Sequence, residues 1–97
     1  MPRYIALMKL TEQGIKNIKN APQRLEEAVA GMEKMGGKML EFYATMGEYD
    51  YVAVSDWPDD DTAMTFLLML GSLGNVRTTT LKAWDAQQFG GLIQKMP

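Results

Sequence analysis

The sequence predicts an α+β fold, a ferredoxin-like sandwich in the order β-α-β-β-α-β with a C-terminal helix. Three observations predict it. Runs with a period of two recur at about 3–10, 38–45, 50–56 and 76–84. Stretches with helical periodicity separate the first run from the second and the third from the fourth. Between the two middle runs lies Gly47-Glu48-Tyr49-Asp50, a corner where glycine can take positive φ without steric cost.

In the first strand, Ile5 and Leu7 point one way while Tyr4, Ala6 and Met8 point the other. Thr11-Glu12-Gln13 reads as a capped helix start with Ile15 and Ile18 on its inner side. Asn20-Ala21-Pro22-Gln23 restarts the helix with Asn20 as cap. Leu25, Ala28, Val29, Met32 and Met35 then line one face, with Arg24, Glu27 and Lys34 on the wet side, until Gly36-Gly37 stops it. The second strand sets Leu40, Phe42 and Ala44 against Met39, Glu41, Tyr43 and Thr45, and the third sets Val52 and Val54 against Tyr51, Ala53 and Ser55. Trp57-Pro58 ends the third strand.

Asp59-Asp60-Asp61 opens the next helix, and capping of the positive helix end explains the triplet more simply than a divalent metal site. The run Ala63 to Leu70 is apolar nearly all round, with Ala63, Phe66, Leu67 and Leu70 fit to meet the sheet. A helix so lacking in polar residues calls for cover beyond its own sheet, most simply a second subunit. Gly74-Asn75 turns into the fourth strand, and Asp85-Ala86-Gln87-Gln88 has the form of a capping box. A last helix carries Phe89, Leu92, Ile93 and Met96 on one side and is weakened by Gly90-Gly91.

One domain accommodates all 97 residues. A net charge of −2 gives no reason to expect nucleic acid, and no apolar run is long enough to span a bilayer. The start lacks the form of a secretory signal, which points to the cytoplasm. Cysteine and histidine are both absent. That excludes thiolate chemistry, Cys-held metals and clusters, and the commonest general base and metal ligand. No metal or cofactor is expected.

Sorting strand residues by face assigns an aliphatic set to the helices: Ile5, Leu7, Leu40, Phe42, Val52, Val54, Leu81 and Ala83. The opposite face is richer in rings and hydroxyls, with Tyr4, Met8, Tyr51, Thr78 and Thr80 among its members. It suits a homo-oligomer interface, alone or with a pocket for a small carboxylate or aromatic ligand between sheet and partner. Arg77, beside Thr78-Thr79-Thr80, could hold such a carboxylate, or stand simply as a surface charge. Tyr49 and Asp50 are candidates for acid–base or oxyanion roles; alternatively Asp50 satisfies backbone donors around the turn. Lys9 and Gln13, at the first strand–helix junction, rank below these.

Gly47-Glu48-Tyr49-Asp50, with the stretch from Leu70 to Thr80, resembles the GYD-domain family of small bacterial and archaeal proteins, and Thr11 to Lys16 looks similar too. The likeness extends over nearly the whole chain. The family's name refers to Gly, Tyr and Asp, matched here by Gly47, Tyr49 and Asp50. The resemblance implies a dimeric α+β barrel, in which two sheets pair face to face. That wider group includes cofactorless monooxygenases, isomerases, haem enzymes and amino-acid-sensing domains, and the haem version is disfavoured by the lack of histidine. Three readings follow: an oligomeric ligand-binding or sensing domain, a cofactorless enzyme using Tyr49, Asp50 and Arg77, or a structural and interaction protein.

Overall fold

Strand β1 (Arg3–Leu10) lies inside the sheet, and both halves of the chain close on it. The computed structural model describes residues 1–97. After β1 come helix α1 (Glu12–Lys16), a 3-10 turn (Ile18–Asn20), helix α2 (Ala21–Lys34), strands β2 (Lys38–Ala44) and β3 (Tyr51–Asp56), helix α3 (Asp60–Ser72), strand β4 (Val76–Ala83) and helix α4 (Ala86–Gln94). The strands run antiparallel in the order β2-β3-β1-β4, compatible with a ferredoxin-like sandwich.

The helix starts follow from local chemistry. Thr11 Oγ1 accepts the Gly14 N–H at 3.1 Å, and Asp59 accepts the Thr62 N–H at 2.7 Å. Asp85 and Gln88 form the reciprocal capping box. Asn20 makes no side-chain capping bond, because the 3-10 turn runs straight into α2 and leaves no extended residue to act as cap.

The two faces of the sheet are the reverse of the sequence expectation. Tyr4, Met8, Ala53 and Ser55 are buried beneath the helices, whereas Leu81 and Tyr43 are about half exposed on the outer side. Register places Ile5 beside Val54 and Leu81, and Leu7 beside Val52, on that outer side. The aliphatic set therefore looks away from the chain's own helices. Phe42 is an exception within that set. A register shift between Met39 and Glu41 lets β2 put both Met39 and Phe42 against the inner layer.

The core is thin. Tyr4, Met32, Trp57 and Ala63 form one buried cluster and Met8, Ala53 and Val76 a second. Every residue from Trp84 to Pro97 is exposed, so α4 reaches out with Phe89 and Ile93 uncovered. The radius of gyration is 14.7 Å, against roughly 12.5 Å for a closed domain of this length.

Candidate functional site

Between the inner sheet face and helices α2 and α3 lies an apolar cavity of about 880 Å³. Its floor carries Tyr4, Met8, Tyr51 and Thr80, and its roof includes Leu25, Met32 and Phe66. The two core clusters bracket it. Packed rings stiffen the walls: Phe42 lies 5.2 Å from Tyr51, and Trp57 lies 5.0 Å from Phe66 between centroids. The Trp57 N–H donates to Ser55 Oγ at 3.1 Å, which spends both polar groups within the wall. One polar atom is unspent, for Thr80 Oγ1 is buried and has no hydrogen-bond partner.

Tyr4 contributes its ring rather than its hydroxyl. The hydroxyl donates to Asp60, whose carboxylate also takes Lys82 Nζ at 3.2 Å. Burial, and then the bond to Asp60, pushes the Tyr4 phenol up to about 12. The bonds from Tyr4 and then Lys82 hold the Asp60 carboxyl below its ordinary range. Asp59 is likewise lowered, by the Thr62 backbone and hydroxyl. Neighbouring carboxylates of the acidic triplet thus have separate tasks, one capping and one pinning β1 to α3.

Of the residues singled out from the sequence, Tyr4, Met8, Tyr51 and Thr80 share this cavity, and Thr78 lies opposite Met8 in register. The cavity lies between the sheet and its own helices, not between sheet and partner, because the ring-bearing face is the inner one. Tyr49, Asp50 and Arg77 do not line it. Asp50 is held by backbone: its carboxylate accepts the Leu10 N–H at 2.8 Å, and its own N–H donates to the Met8 carbonyl at 2.8 Å. Thr45 closes the same corner, its N–H donating to the Asp50 carbonyl at 2.8 Å and its hydroxyl to the Tyr49 carbonyl at 2.6 Å. Lys9 lies over the Tyr49 ring at 5.4 Å and beside Glu48 at 3.7 Å. Arg77 pairs with Lys9 across the strands and is exposed.

Gln13 lies outside the cavity and has a structural part. Its amide donates to the Leu73 carbonyl at 3.0 Å and to Asn75 Oδ1 at 2.9 Å. Thr11 donates its N–H to the Asn75 carbonyl at 3.0 Å and its hydroxyl to the Gly74 carbonyl at 2.5 Å. The start of α1 is thereby bound to the turn before β4, so two distant sequence motifs prove to be one contact.

Sequence reasoning missed Trp57, Arg24 and Glu27 as cavity residues. Trp57 read as a strand terminator, and Arg24 and Glu27 as a solvated face. The amides at Asn20 and Gln23, four residues before Arg24 and Glu27 respectively, were the available signal.

The GYD domain family model matches residues 4–93. The chain belongs to the GYD-domain family. Within this GYD protein, Gly47, Tyr49 and Asp50 stand at the backbone-bound corner between β2 and β3. A relative from Thermus thermophilus, named glutamine synthetase and cystathionine beta-lyase binding protein, is 36% identical over 84 residues, covering 86% of this chain and 88% of the relative. A crystal structure of a protein from Thermus thermophilus matches with a TM-score of 0.60 and 28% identity, covering 89% of this chain and 96% of the other. No helix of this GYD domain is long and apolar enough to cross a membrane.

Proposed function

We propose that this GYD domain is an oligomeric ligand-binding or sensing module. Two copies pair through the outer faces of their sheets as a dimeric α+β barrel, and each holds a small apolar or aromatic molecule between its helices and its sheet. The observation that carries this reading is the cavity of about 880 Å³ with its ring- and thioether-rich walls. The space opens to solvent, so a guest that covers its apolar walls removes hydrocarbon from water. Water gains little from walls that offer so few polar partners, so an apolar guest suits the space better.

Surface area supports the pairing. The accessible surface is 6822 Å² at 10.9 kDa, against roughly 5,600 Å² for a monomer of that mass. The surplus, roughly 1,200 Å², exceeds the ~800 Å² that each partner contributes to a standard interface.

Binding of N-phenyl-1-naphthylamine, a neutral fluorophore that brightens in apolar surroundings, tests the ligand site. The wild type should bind it saturably, and Ala28→Trp, which places a large ring in the cavity, should bind it at least about tenfold more weakly. A wild type that leaves the dye dark removes the reading.

A second reading draws on the named Thermus relative: this chain docks onto an enzyme subunit. Met64 and Leu68 on α3 and Leu73 just past its end, all more than half exposed, offer an apolar surface for it. Purified glutamine synthetase and cystathionine beta-lyase from the same source organism, titrated against the immobilised full chain, decide it. Failure to bind either enzyme ends this second reading.

A further inference from the structure

Beside the apolar cavity lies a polar depression of about 380 Å³, lined by Asn17, Asn20, Gln23, Arg24, Glu27 and Asn75 and by no hydrophobic residue. Arg24, Glu27 and Asn75 line both spaces, so the two meet there. Arg24 and Glu27 are the only charged residues along the wall of the apolar cavity. They lie three residues apart on α2, which puts their Cβ atoms roughly 5–6 Å from each other. The Arg24 guanidinium donates to the Asn17 carbonyl at 2.9 Å and makes no ion pair. Glu27 has only a long contact, 3.4 Å, from the Gln23 amide. One cation and one anion therefore stand one turn apart on α2, with no ion pair between them, in a ring of amides at the edge of an apolar chamber.

We infer that this junction is the head-group site of a zwitterionic ligand with an apolar body, an α-amino acid in its simplest form. The ligand's carboxylate takes the Arg24 fork, its ammonium faces Glu27, the amides complete the hydrogen bonds, and the side chain enters the chamber. A simple fatty acid would set its carboxylate against Glu27, and an apolar amine would set its ammonium against Arg24. Only a ligand bearing both charges answers both residues. Thr80 lies on β4, four residues from its first residue Val76, which follows Asn75, so roughly 13 Å of strand separates Thr80 from the end of β4 beside Asn75. The chamber thus has room for a body longer than a common amino-acid side chain. The proposal rests on the ligand-binding reading given above.

Four probes with one twelve-carbon chain separate the two ideas: 2-aminododecanoic acid, dodecanoic acid, dodecylamine and dodecanol, each displacing N-phenyl-1-naphthylamine from the full chain. The zwitterion should bind at least about tenfold more tightly than either singly charged probe, as charge-assisted hydrogen bonds require. Arg24→Gln should reduce it to the level of dodecylamine, and Glu27→Gln to the level of dodecanoic acid. A merely structural role for either side chain would weaken all four probes alike. Displacement by all four with equal strength, unchanged in both variants, overturns the zwitterion proposal and leaves the cavity reading standing. Failure of the dye and of every probe to bind sinks the cavity reading itself. Tryptophan, a shorter body on the same head, identifies an ordinary amino acid if it competes comparably with 2-aminododecanoic acid. If only the long chain competes, the ligand is a long-chain zwitterion.

Discussion

Two hydroxyls of the inner face have opposite situations, and each makes its own prediction. The Tyr4 hydroxyl has two charged neighbours within its network, Asp60 and, through it, Lys82. The Tyr4 pKa is raised from 10.0 to about 12. Its contribution to stability is therefore complete below about pH 10 and lost as pH rises toward about 12. Tyr4→Phe should be less stable than the wild type at neutral pH, and the difference between them should shrink across that alkaline window. Paired denaturation curves at several pH values check this; a difference that stays constant through pH 12 contradicts the bond. The Thr80 hydroxyl, buried without a partner, carries a desolvation penalty of about 1–3 kcal/mol. Thr80→Val keeps the shape and removes that penalty. Without ligand it should raise the unfolding free energy by about 1 kcal/mol, read from denaturation curves.

Elements were legible where local pattern and tertiary environment agree. The strands and the capped helices follow from alternation, Thr11, Asp59 and Asp85, and they occur at the expected places. What alternation cannot supply is the inner side of a sheet with two apolar faces. Ile5, Leu7, Val52 and Val54 look more like a core than Tyr4, Met8 and Ser55 do, yet the latter meet the helices. Hydrocarbon content ranks the faces by transfer energy, whereas the fold ranks them by what each must cover. A shift of register in β2 adds to the difficulty, since it breaks the strict period of two at Met39. The cavity was only partly legible for the same reason: Tyr4, Met8, Tyr51 and Thr80 were grouped on one strand face, but that face was assigned to a partner and the helix residues above it were not considered. Contacts between distant motifs are equally hidden, and Gly14 shows why. A Cβ there would lie 2.1 Å from the Asn75 carbonyl oxygen, because α1 is bonded so closely to that turn. Gly14→Ala should cost about 1–3 kcal/mol through overpacking. Gly71→Ala, in α3 with nothing within 4 Å, should be neutral or stabilise by up to about 1 kcal/mol. Equal effects of the two in urea denaturation would mean that the close approach of α1 to Asn75 is not maintained in solution.

At the scale of the whole molecule, a chain with 10 buried residues in 97 has much of its apolar surface uncovered. The outer sheet face, the outer side of α3 and α4 each hold part of that surface. Helix α4 has nine residues and two adjacent glycines, and an isolated helix of that length is marginal in water even without glycine. Its helical form therefore depends on cover that its own chain does not give. If two copies pair through the outer sheet faces, Leu81 lies within the contact, opposite Ile5 in register and about half exposed in one chain. Leu81→Arg introduces a charge on an edge strand without removing any buried contact within the subunit. It should leave the far-ultraviolet signature of the sheet intact and convert a dimer into a monomer in size-exclusion chromatography with light scattering. Hydrogen exchange should report the same event from the other end of the molecule. In the monomeric variant the amides of residues 86–94 should lose protection, while those of β1 and β3 keep theirs. A wild type that already elutes as a monomer at micromolar concentration would defeat the pairing. A Leu81→Arg dimer with a protected α4 would move the contact to another face.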